Sequence, residues 1–204
     1  MIHASLVVAL LLVACKDDAR PRPVEPVPEP PTAVELAAHS ALVVDERPES
    51  YVVRDASGLS ISLPGRPKLA GKLVTQGSEQ AFLAEADVRG PLDLQFAVLT
   101  MRAGALPAEV AKLVEGAALA LVQEAGGGEL QRNRAGQLAG QPAHLFELVT
   151  RDRRRVLGWY IVQHGRMIQL HCSGPDTDVT RVDCDQIAST LRLATSEGGA
   201  TVPR

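Results

Sequence analysis

The chain has 204 residues, 46% of them apolar but only 3% aromatic, and a net charge of −3 at pH 7. That is room for one domain of ordinary size whose core is built on Leu, Val, Ala and Ile. The mild acidity excludes the basic field that a nucleic-acid footprint needs.

Residues Ala4 to Ala14 are apolar apart from Ser5. As a helix the run reaches roughly 16 Å, at about 1.5 Å per residue, which is about half of a bilayer core. It therefore reads as the apolar region of an export signal and not as a spanning helix. Leu12-Val13-Ala14-Cys15 closes the run, and this tetrapeptide resembles the lipobox of bacterial lipoproteins. The resemblance implies cleavage between Ala14 and Cys15. It also implies a diacylglyceryl group on the Cys15 sulfur, an acylated amino terminus, and a membrane hold through those chains. At ~0.8 kcal/mol per buried methylene, several acyl chains anchor stably where one does not. Met1-Ile2-His3 departs from the family in carrying neither Lys nor Arg. The alternative is an ordinary secretory signal with an incidental cysteine.

Beyond Lys16-Asp17-Asp18-Ala19-Arg20, the stretch from Pro21 to Pro31 holds six prolines in eleven residues. Each proline lacks an amide donor, so neither a helix nor a central strand forms there. Extended polyproline II predicts a spacer of roughly 35 Å; a docking site for a proline-reading module is the alternative. The expected organisation is a signal over 1–14, an anchored Pro-rich linker over 15–48, one domain over 49–194, and a disordered tail over 195–204.

Within the domain, Tyr51-Val52-Val53 reads as a strand, followed by a turn at Asp55-Ala56-Ser57-Gly58. Leu59-Ser60-Ile61-Ser62-Leu63 alternates strictly and stops at Pro64-Gly65-Arg66-Pro67. A polar loop is expected next, then a hairpin of Ala81 to Val88 with Leu92 to Met101. Pro107 suits a first helical position. Val110, Leu113, Val114, Ala117, Ala118, Leu121 and Val122 then form one apolar stripe at helical spacing. Gly126-Gly127-Gly128 ends it. Leu130 to Leu138 and Ala143 to Val149 read as strands around Gly140-Gln141-Pro142. Leu157 to Gln163 and Met167 to Cys172 form a hairpin across His164-Gly165. After Gly174-Pro175, Asp176 or Thr177 caps a closing helix on which Cys184, Ile187, Ala188 and Leu191 repeat.

This order predicts an α+β domain: an antiparallel sheet packed by one long helix and a C-terminal helix. Four short motifs carry a family resemblance. Gly58-Leu59-Ser60-Ile61-Ser62-Leu63-Pro64 is similar to the opening strand of PsbP-like and DcrB-like domains, and Gly140-Gln141-Pro142-Ala143 to their central turn. His164-Gly165-Arg166-Met167-Ile168 resembles their late hairpin, and Ile187-Ala188-Ser189-Thr190-Leu191-Arg192 their closing helix. Met167 and Leu191 stand where aromatics are common in that group. The resemblance implies an exported accessory or binding protein, and it carries over no catalytic residue.

Cys172 shares a strand face with Ile168 and Leu170, while Cys184 shares the helix stripe. The turn at Gly174-Pro175 brings them within disulfide reach, so a Cys172–Cys184 bridge is expected in an oxidising compartment. Two separate buried thiols are the alternative. Arg151, Arg153, Arg154 and Arg155 make a basic turn. It reads either as a solvated loop or as a contact for lipid headgroups or an acidic partner. His144 and His171 lie on strands without ligands at metal spacing, and no phosphate loop or nucleophile elbow is present, so no metal, cofactor or enzymatic activity is expected. The predicted function is a lipid-anchored, non-catalytic protein of the bacterial cell envelope that binds a protein partner or assists an assembly. The alternative is a carrier of an apolar or lipidic ligand held between the long helix and the sheet.

Overall fold

The computed structural model describes residues 41–76, 79–101, 128–163 and 165–193. Ten strands and one helix stand among them. Strands β1 (Val43–Arg47), β2 (Ser50–Arg54) and β3 (Ser60–Leu63) form a small antiparallel sheet. Strands β4 (Lys68–Gln76), β5 (Glu79–Val88), β6 (Asp93–Met101), β7 (Gly128–Leu138), β8 (Gln141–Thr150), β9 (Arg154–Gln163) and β10 (Arg166–Pro175) form a larger one. Its spatial order is β4-β5-β6-β10-β9-β8-β7, antiparallel at every pairing. Helix α1 (Asp178–Ser189) follows β10.

The main core lies between one face of the large sheet and a cover made of the small sheet and α1. Period-two alternation puts Leu94, Phe96 and Val98 of β6 there, with Leu157, Trp159 and Ile161 of β9 and Ile168, Leu170 and Cys172 of β10. Val53, Leu59, Ile61 and Leu63 face them from the small sheet, and Cys184, Ala188 and Leu191 from the end of the chain. The odd-numbered residues of β6 and β10 supply a second cluster on the opposite face, where Leu99 and Met167 meet Phe146, Leu148 and Tyr160.

Two polar joints dock the small sheet. Asp55 is 2% exposed; its Oδ1 accepts from the Ser57 and Leu59 amides at 2.8 and 3.2 Å, and its Oδ2 accepts from Arg166 at the start of β10. At the other end Ser60 and Arg192 exchange backbone hydrogen bonds, and Thr190 Oγ1 accepts from the Ser62 amide at 3.0 Å.

The alternating strands fall where the residue pattern puts them, with some corrections. The stretch after Pro67, expected to be a polar loop, is the nine-residue strand β4. Its Lys68, Gly71 and Lys72 suit a sheet edge and disguise it as a loop. β1 lies inside the 15–48 stretch read as linker. The β7–β8 turn sits one step earlier than expected, at Ala139-Gly140, both with positive φ (51° and 75°), and Pro142 belongs to β8. This is the backbone that a two-residue hairpin turn matching strand twist requires. The expected pairing of a long helix with a C-terminal one is not borne out: the fold is mostly antiparallel sheet with α1 its one described helix. Residues 107–125, where the long helix was expected, lie outside the described residues. Thr177 is the N-cap of α1, its side chain accepting from the Thr180 amide.

Candidate functional site

Cys172 and Cys184 are disulfide-bonded, with α-carbons 5.7 Å apart, and join β10 to α1 inside the main core. Cys15 and Ala14 lie outside the described residues, so the lipidation site has no geometry here. The four arginines of the basic turn do not point the same way. Arg151 and Arg153 are exposed, and Arg153 reaches Asp176 at 3.1 Å. Arg154 turns back to Asp93 at 2.9 Å and Ser173 at 3.3 Å. Arg155 is 8% exposed, its guanidinium held between Glu147 and Asp176. A surface contact is left with Arg151 and Arg153 only. Period two accounts for this: Arg155 shares its face of β9 with Leu157 and Trp159, so it enters the core side.

Glu147, in the middle of β8, shares the same face and is 2% exposed. A buried carboxylate requires partners, and three arginines supply them. Arg155 donates from below, Arg181 of α1 donates through Nη2 at 2.6 Å and Nε at 3.1 Å, and Arg132 of β7 lies 3.3 Å away. Burial pushes the Glu147 carboxyl up, but the hydrogen bonds and charges of Arg181 and Arg155 outweigh it and hold the group below the usual glutamate range. The Glu147 hydrogen bond in turn raises Arg181.

Above this cluster an open groove runs between β7 and α1. Leu145, Leu157 and Trp159 form its floor, and Arg132, Arg134, Arg181 and Asp185 its rim. Desolvation and then the Glu147 charge raise the Asp185 carboxyl. Guanidinium donors beside an apolar floor recognise a carboxylate that carries an apolar neighbour. The lining holds no thiol, hydroxyl or imidazole. Sequence reasoning passed over these residues. The available signal was a pair of arginines at strand spacing, Arg132 and Arg134, and a lone glutamate in the apolar run of β8.

The histidines lie on the other face of the large sheet, on either side of β9. His144 hydrogen-bonds Asn133. His171 is buried, 2.8 Å from the Tyr160 hydroxyl and 3.3 Å from Gln169. Phe146 and Tyr160 stand edge-on to its ring, both with centroids at 5.5 Å. Burial lowers its pKa to about 3 and raises that of Tyr160 well above the usual tyrosine value. Among the described residues no three His, Cys, Asp or Glu side chains gather closely enough to hold a metal ion.

No protein-family model matches the chain, and no curated protein matches it. Among solved structures it is similar to the solution structure of cyanobacterial PsbP (CyanoP) from Synechocystis sp. PCC 6803, of the group that the sequence motifs resemble. The TM-score is 0.45 at 17% identity, covering 76% of this chain and 93% of that one. It is also similar to the immunity protein TplEi of the T6SS from Pseudomonas aeruginosa, complexed with "L" peptide. There the TM-score is 0.41 at 14% identity, covering 78% of this chain and 60% of that one.

Proposed function

We propose that this chain is a lipid-anchored, non-catalytic protein of the bacterial envelope that holds a protein partner at the β7 side of its large sheet. The observation that carries the reading is the groove between β7 and α1, whose apolar floor and arginine rim adjoin a sheet edge that no described strand pairs. A sheet edge that no described strand pairs, next to such a groove, is a standard place for a protein segment to dock. The lipobox residues Leu12-Val13-Ala14-Cys15 and the Pro-rich stretch support an anchored domain held off the membrane, and the Cys172–Cys184 bridge suits an oxidising compartment. The carrier reading needs the helix expected over 107–125, which lies outside the described residues.

Photo-cross-linking in living cells tests the reading. With a photoreactive residue in place of Gln137, on exposed β7, one stoichiometric protein adduct is expected in the membrane fraction. The same residue in place of Val43, in the small sheet, should leave that adduct unformed. Adducts of many proteins in trace amounts, or none, would remove partner binding as the function.

A further inference from the structure

We infer that the outer edge of β7 over Arg132–Leu138 takes an extended acidic segment of the partner as an added strand, with carboxylates at Arg132 and Arg134 and apolar side chains at Leu145. This rests on the partner-binding reading above and names the chemistry that the partner presents.

Register sets the geometry. Arg132 stands opposite Glu147 and Arg134 opposite Leu145, which in turn stands opposite Trp159. Arg132, Arg134 and Gly136 therefore follow one another on the groove face of β7. Gly136 has no side chain, and Leu145 uses the space: a Cβ built on Gly136 would lie 2.2 Å from Leu145 Cδ1. The apolar floor thus extends to the very edge of the sheet. A strand laid along β7 would set one side chain opposite Gly136, against Leu145, and the next two of the same face opposite Arg134 and Arg132.

Charge points the same way. The Glu147 carboxylate already has Arg155 and Arg181 on it, so Arg132 shares an anion that is largely satisfied. Arg134 has no acidic partner among the described residues, and its side chain lines the groove. In a chain of net charge −3 this is a local surplus of guanidinium, and it sits beside a β7 edge that no described strand pairs. The register shift between Leu130 and Arg132 is a bulge of the kind that bends an edge away from pairing, so the straight stretch begins at Arg132. At the opposite edge of the sheet, Lys72 of β4 already has Glu85 at 3.8 Å.

The test uses the full-length protein in detergent micelles and short capped peptides. In these, leucines and then aspartates occupy alternate positions with threonine between them, in both chain directions. Binding should weaken with salt, as exposed charge pairs do. It should also slow amide exchange over 132–138 and leave β4 unchanged. A peptide with lysine in place of aspartate should bind roughly tenfold more weakly. The Arg132→Glu/Arg134→Glu variant should reverse that preference, which a merely misfolded variant cannot do. Equal binding of the acidic and basic peptides would overturn the inference, as would binding without protection of β7. Glutarate binding as tightly as the peptide would assign the groove to a small acid and overturn it too. If the Gln137 cross-link still forms while these results fail, partner binding stands and the acidic-strand inference alone falls.

Discussion

Glu147 shows why a single residue can matter more than its neighbours here. Its carboxylate shares with Asp176 the pairing of Arg155, which is 8% exposed, and it also holds Arg181. Breaking a buried ion pair so that one charge is left alone costs about 3–5 kcal/mol; Arg155 keeps Asp176, so the loss here stays at or below the lower end of that range. Glu147→Gln should therefore lower the urea midpoint strongly, and Arg134→Ala, on the rim of the same groove, should leave it nearly unchanged. His171 gives a pH dependence of determinate sign. Its folded pKa of about 3 lies below the ordinary value of 6.5, because burial disfavours the imidazolium. The unfolded chain thus binds the extra proton first, so this contribution is complete above about pH 6.5 and is lost as the pH falls toward 3. At about 1.4 kcal/mol per pH unit it amounts to at most roughly 5 kcal/mol. His171→Gln, which keeps a partner for the Tyr160 hydroxyl, should flatten the stability profile across that window in denaturant titrations at a series of pH values. Parallel profiles for the two proteins would show that His171 takes up its proton as readily in the fold as in the unfolded chain. On the same face, Gly158 lies under Phe146, whose Cε1 would be 1.8 Å from an added Cβ. Gly158→Ala should accordingly destabilise by about 1–3 kcal/mol or more, since the ring has to leave its place against Tyr160 and His171.

Among the elements, β10 and α1 act as one unit because the Cys172–Cys184 bond spans a separation of only twelve residues. Closing so short a loop stabilises by about 3 kcal/mol in the chain-entropy model. Cys172→Ser with Cys184→Ser should cost about that much, measured by chemical denaturation against the oxidised protein; protein already reduced in the envelope would show no difference. Most of the strands were legible because strict alternation sorts side chains to two faces, as in Leu59 to Leu63 and Ile168 to Cys172. The pairing of the two cysteines was legible for the same reason. β4 was not, because an edge strand with Lys68, Gly71 and Lys72 lacks the apolar alternation that a central strand needs. The groove was hidden for a different reason. Arg132 and Arg134 meet Arg181 only through the order β9-β8-β7 and the return of α1 over it, and local periodicity says nothing about strand order. The run Arg151 to Arg155 looked like one patch because it was read as a turn, whereas β9 already begins at Arg154.

Over the whole molecule, the small sheet is held on the large one by its apolar face and by few polar groups, and the β2–β3 turn reaches β10 through Arg166, which meets Asp55 and Ser57. Asp55→Ala leaves Arg166, whose side chain is 15% exposed, without its carboxylate. Amide exchange in β1, β2 and β3 should accelerate in that variant while β8 and β9 stay protected; uniform acceleration would mean that the two sheets open together. The proposed anchor lies outside the described residues, and metabolic labelling with a radioactive fatty acid should mark the wild type and leave Cys15→Ala unmarked. Equal labelling of both would end the lipoprotein reading.

The position of β10 has a consequence for biogenesis. It is the last described strand, yet it lies between β6 and β9, and among the described strands it is the one that joins β4-β5-β6 to β9-β8-β7. Until Arg166 to Pro175 have been delivered, the two halves have no hydrogen-bonded seam among the described strands. The edges waiting for it belong to β6 and β9, whose buried Leu94, Phe96, Val98, Leu157, Trp159 and Ile161 are among the most apolar in the protein. In the proposed lipid-anchored form, an amino-terminal lipid would be in place before the fold could close, because the keystone strand comes late in the chain. A translation product stopped just before Arg166 would present two sticky, unmatched ribbons, and so be a substrate for chaperones and proteases and not a smaller folded domain.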